Sequence, residues 1–108
     1  MKSGILAGLA TLVCGASAAA ETRLICENPG REYLVVYESG ASDLVLNPDS
    51  DRARYPILVD DVSDARHVVT AATSSEGPTV RLHLRPYQKM EFWSEGEIIQ
   101  TDGCYAVR

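Results

Sequence analysis

From Glu21 onward the apolar residues of this chain recur at every second position, and the runs that carry this period are short and separated by clusters of Gly, Pro, Asn, Asp and Ser. A period of two, rather than 3.6, belongs to strands with one face in a core and one in water. Thr79 to Arg85 shows it most clearly, with Val80, Leu82 and Leu84 turned one way and Thr79, Arg81, His83 and Arg85 the other, before Pro86 ends the run. Further strands are expected over Thr22 to Glu27, Glu32 to Glu38, Asp43 to Leu46, Tyr55 to Val59, Arg66 to Thr73, Tyr87 to Trp93, Glu97 to Thr101 and Cys104 to Val107. The chain therefore reads as all-β.

The breaks have turn chemistry of their own. Asn28-Pro29-Gly30, Ser39-Gly40, Asn47-Pro48-Asp49, Ser75-Glu76-Gly77-Pro78 and Asp102-Gly103 supply residues that set or tolerate turn dihedrals. None resembles a domain linker, and no repeat or low-complexity tract interrupts the sequence. Eight or so antiparallel strands in so short a chain suit a small barrel that leaves few free edges, with a two-sheet sandwich as the alternative.

With 108 residues, 45% of them hydrophobic, the chain has room for one small domain and not for most multidomain enzyme architectures. Residues 1–20 read as a secretory signal peptide: Lys2, an apolar stretch from Ile5 to Val13, then Gly15-Ala16-Ser17-Ala18-Ala19-Ala20. Cleavage fits after Ala20 or after Ala18. A lipoprotein route through Cys14 is disfavoured by the bulky Val13 before it. Residues 21–108 then form a single barrel domain, periplasmic or secreted, whose only membrane contact is through the signal.

Loss of Lys2 leaves nine basic residues against fifteen acidic ones, a formal charge of −6. Lys89 is the last lysine and no basic stripe exists, which argues against nucleic acid and anionic membrane as partners. The negative field favours encounter with a basic protein. Loss of Cys14 leaves Cys26 and Cys104, and two cysteines in an exported protein normally pair. Such a bond spans nearly the whole domain, contributes about 4.5 kcal/mol in the chain-entropy model, and lays the first strand beside the last.

Catalytic constellations are not found. No Cys or His stands at zinc-ligand spacing, no G-x-S-x-G elbow accompanies the serines, and no glycine-rich phosphate loop joins a strand to a helix. His67 and His83 read as surface strand residues. The acidic clusters Asp49-Ser50-Asp51 and Asp60-Asp61-Val62-Ser63-Asp64 read as solvated loop charge rather than calcium sites, since the first lacks the glycine and distal glutamate of an EF-hand loop. No metal, cofactor or enzymatic activity is expected.

Phe92-Trp93-Ser94-Glu95-Gly96-Glu97 sets the chain's single Trp and single Phe beside a Ser-Glu-Gly turn. Together with the terminal cysteine pair, it resembles the periplasmic and membrane-bound inhibitors of c-type lysozyme. Those are small exported β-barrels in which a cysteine near the mature start, a Ser- and Gly-containing loop, a W-x-K-G turn and a C-terminal cysteine follow in that order. The counterparts are Cys26, the Thr73-Ser74-Ser75-Glu76-Gly77 loop, Trp93 to Gly96, and Cys104. The resemblance implies a non-catalytic inhibitor that enters the cleft of a c-type lysozyme or related lytic enzyme with Ser74, Ser75 and Gly77 and with Trp93, Ser94, Glu95 and Gly96. In that family a loop serine and the turn lysine meet the enzyme's two catalytic carboxylates. Here Glu95 stands at the lysine position, Glu76 separates Ser75 from Gly77, and the family's downstream loop tyrosine is missing. Lys89, on the same strand face as Trp93, and Arg85 are the other cations expected on the strands flanking the turn. A non-inhibitory periplasmic binding or envelope-maintenance module of the same fold is the alternative.

Overall fold

A computed structural model describes residues 21–107; the signal-peptide reading lies outside them. Eight strands follow one another around a closed antiparallel barrel: β1 (Glu21–Asn28), β2 (Arg31–Glu38), β3 (Asp43–Leu46), β4 (Ala53–Val62), β5 (His67–Ala72), β6 (Thr79–Arg85), β7 (Lys89–Ser94) and β8 (Glu97–Ala106). Each strand pairs with its neighbours in sequence, and β8 closes the ring on β1. The sandwich alternative is thereby excluded. Cys26 lies directly opposite Cys104 in the closing pair, and the two are disulfide-bonded across it.

Alternation fills the barrel as the period-two pattern requires. Leu24 and Cys26 of β1, Val35 of β2, Leu44 of β3, Val69 and Ala71 of β5, Val80 and Leu82 of β6 and Met90 of β7 are completely buried. Tyr33 and Tyr37 enter the same core from β2. Local chemistry shapes the turns: Asn28 Oδ1 accepts hydrogen bonds from the N–H groups of Gly30 and Arg31, at 2.9 and 3.0 Å, closing the β1–β2 connection as an Asx turn.

Three sequence expectations are corrected. Asp102-Gly103 is not a turn but lies within one continuous β8, so Glu97 to Thr101 and Cys104 to Val107 are a single strand. Asp102 is wholly buried, accepting the Tyr33 hydroxyl at 2.5 Å and both Gln100 Nε2 contacts at 2.9–3.0 Å. Asp60 and Asp61 belong to β4 rather than to a loop, although both stay exposed as expected. A bulge between Ile57 and Val59 shifts the alternation by one residue, and Asp60 comes to accept Tyr37 Oη at 2.5 Å and to meet His67 Nε2 at 2.7 Å. His67 is therefore buried, packed edge-on against Tyr37, instead of facing water.

Candidate partner-binding rim

An up-and-down barrel sorts its connections by parity. The 28–31, 47–52, 73–78 and 95–96 connections share one end; the 39–42, 63–66 and 86–88 connections share the other, with residues 21 and 107. Ser74, Ser75 and Gly77 thus stand on the same rim as Ser94, Glu95 and Gly96, on adjacent hairpins joined by the β6–β7 ladder, in which Thr79 faces Trp93.

Both tips are rigidly built. In the 73–78 loop the backbone N–H and the hydroxyl of Thr73 both donate to the Pro78 carbonyl, at 3.2 and 2.8 Å. The loop folds so tightly that a Cβ on Gly77 would overlap Thr73 Oγ1 and come within 2.6 Å of Ser74 Oγ. At the β7–β8 connection Ser94 pairs with Glu97, and Glu95 and Gly96 take φ values of 51° and 81°. Two consecutive left-handed residues make this a type I′ hairpin turn, whose twist matches the strands it joins.

Trp93 does not project from the tip. It lies half-buried on the outer wall of the barrel, opposite in face to the inward Met90 and Phe92. Arg81 on β6 places its guanidinium 4.2 Å from the centre of the Trp93 ring, and the indole N–H donates to Glu91 Oε1 at 3.1 Å. Glu91 is itself covered, with His83 Nε2 at 2.8 Å and Lys89 Nζ at 3.3 Å. Burial works against its charge, but the hydrogen bonds from His83, Trp93 and Lys89 hold the carboxyl below its usual range.

Lys89 shares the outer face with Trp93, as alternation requires, yet it begins β7, at the opposite end from the 95–96 turn, and pairs with Glu91. Arg85 is likewise remote from the turn, donating to the Ser63 carbonyl at 2.6 Å at the far end. The structure therefore brings together Ser74, Ser75, Gly77, Ser94, Glu95 and Gly96, seats Trp93 just below them, and leaves Lys89 apart. Sequence reasoning missed Arg81, His83 and Glu91 as the setting of Trp93. The signal was available: once β6 and β7 are paired, alternation puts all three on the outer face with the indole.

Fold and rim together define a disulfide-closed, up-and-down β-barrel with two stiff, acidic hairpin tips side by side. No family model, curated protein or solved structure matches the chain.

Proposed function

We propose that the protein is an exported, non-catalytic binding module that blocks the cleft of a c-type lysozyme or a related lytic enzyme with the 73–78 and 95–96 tips. The observation that carries this reading is the placement of both tips on adjacent hairpins of one rim, preorganised by Gly77 and the type I′ turn. A tip that is already ordered loses little entropy on entering a cleft. Glu76, Glu95 and Glu97 make the rim acidic, which suits the basic surface of such an enzyme, while the Ser74 and Ser75 hydroxyls are the groups able to meet its carboxylates. Titration of c-type lysozyme with the protein, read as turnover, tests the proposal; undiminished turnover at micromolar protein rejects it.

A second reading is favoured by the charge at the tip. Glu95 replaces the expected cation, and Lys89 is neutralised by Glu91 at the far end of its strand. On this reading the same rim binds a basic partner without inhibiting a lysozyme. Glu95→Lys separates the two, because lysine occupies a left-handed backbone no less readily than glutamate and changes only the charge. A gain of inhibition shows an inhibitor scaffold that lacks its plug; capture of another basic protein, lost in Trp93→Ala, supports the second reading.

A further inference from the structure

The other half of the same rim opens into the barrel. A mouth of about 260 Å³ lies between the 28–31 and 47–52 connections, a little below the usual range for pockets that take drug-sized ligands. Tyr55 and Phe92, both half-buried at the top of the core, form an aromatic wall above Tyr33. That floor is fixed, because the Tyr33 hydroxyl is held by Asp102, which is in turn held by Gln100.

The polar part of the mouth is equally ordered. Asn28 Oδ1 is occupied by two backbone N–H groups, and Asn47 Oδ1 accepts the Leu34 N–H at 3.1 Å. With both carboxamide oxygens engaged, the two NH₂ groups remain as donors of fixed position. Arg31 and Asp51 add a guanidinium fork and a carboxylate, both exposed and neither ion-paired among the described residues.

The lining is thus neutral overall, with several donors from Asn28, Asn47 and Arg31 set against the Asp51 carboxylate as acceptor. An anion would gain from Arg31 and lose to Asp51, a cation the reverse, and a purely apolar ligand would strand every polar group. A neutral ring carrying several hydroxyls satisfies all of them, since each hydroxyl both donates and accepts and the C–H face of the ring packs on aromatic carbon. We propose that this mouth binds one hexose-sized carbohydrate unit, either a free sugar or the terminal residue of a glycan. The proposal is independent of the lysozyme reading: the 73–78 and 95–96 tips can fail to inhibit while the mouth still binds.

The test is a titration of the ¹⁵N-labelled, disulfide-bonded protein with methyl glycosides of glucose, galactose, mannose and N-acetylglucosamine, and with oligosaccharides ending in the same units. Glucuronate and glucosamine serve as charged comparisons. At least one neutral sugar is expected to shift the amide signals of Gly30, Arg31, Asn47 and Asp51, leaving the 73–78 loop unmoved. Arg31→Ala and Asp51→Ala, both on the exposed rim, are each expected to weaken that response about tenfold while the rest of the spectrum is retained. A tighter response to the glycosides identifies a free sugar as the ligand, and a tighter response to the oligosaccharides identifies a glycan end. Absence of any mouth shift at millimolar sugar, preference for a charged sugar over its neutral parent, or indifference to both substitutions overturns the proposal.

Discussion

Tyr33 and Asp102, 69 residues apart in sequence, meet inside the barrel, where the phenol donates to a carboxylate with no access to water. This bond ties β2 to β8 across the strand β1 that separates them in the sheet. Removing one hydrogen bond to a buried charge costs about 1.5–3 kcal/mol, so Tyr33→Phe is expected to lose that much stability in urea denaturation at neutral pH. Asp102→Ala should lose more, because it strands the buried Tyr33 phenol and leaves a void. Wild-type stability in Asp102→Ala would contradict the assignment.

Alkaline pH tests the second buried phenol. Burial, and then the hydrogen bond to Asp60, push Tyr37 up to about 12 from an unfolded value of 10.0. The folded state holds this proton more tightly than the unfolded chain, so its contribution is complete below pH 10.0 and is lost as the pH rises toward 12. Tyr33, raised by burial and by Asp102, adds to the same limb. Denaturation midpoints should fall across this window, and fall less steeply in Tyr37→Phe; an unchanged slope in that variant argues against the reading.

The acid limb belongs to Glu91. Its folded carboxyl lies below the unfolded value of 4.5, so the stability it contributes is present above pH 4.5 and disappears as the pH drops through the folded value. Glu91→Gln should flatten this limb and shift Trp93 fluorescence, since the indole N–H loses a charged acceptor.

Glu95 occupies a backbone conformation that L-residues with a Cβ disfavour and asparagine tolerates. Glu95→Asn is expected to stabilise the protein by part of the roughly 1–2 kcal/mol that a left-handed backbone costs an L-residue, measured by the denaturation midpoint at unchanged slope. A loss of stability would mean that the Glu95 side chain makes a contact worth more than the strain.

The Cys26–Cys104 bond closes a loop with a sequence separation of 78. Its removal by Cys26→Ser with Cys104→Ser should cost about 2–5 kcal/mol, the usual loss when a small domain is deprived of its native disulfide. The bond itself is compatible with an oxidising compartment. Equal stability of the oxidised and doubly substituted proteins would show that the β1–β8 ladder alone closes the barrel.

Much of this architecture is legible from residue order alone. Val80, Leu82 and Leu84 announce an inward face because burial on a strand repeats every second residue, and the pairing of Cys26 with Cys104 announces which strands are neighbours. What misled was local polarity. Asp102-Gly103 carries turn residues and sits mid-strand; Asp60-Asp61 carries loop charge and sits in β4; His67 looks fit for water and is buried. Each is polar in sequence and satisfied in space, by Tyr33 and Gln100 for Asp102, and by Tyr37 and His67 for Asp60.

Residue order by itself thus determined the all-β class, the pairing of first and last strands and the turn chemistry of the two tips, because these depend on period, covalent bonding and backbone dihedrals within a few residues. Tertiary structure alone decided which carboxylates enter the core, that Trp93 lies against Arg81 and Glu91 rather than at the tip, and that Lys89 stands far from the rim. Those outcomes depend on partners many residues away and on a single β4 bulge, and a buried charge is tolerated only where such distant donors converge.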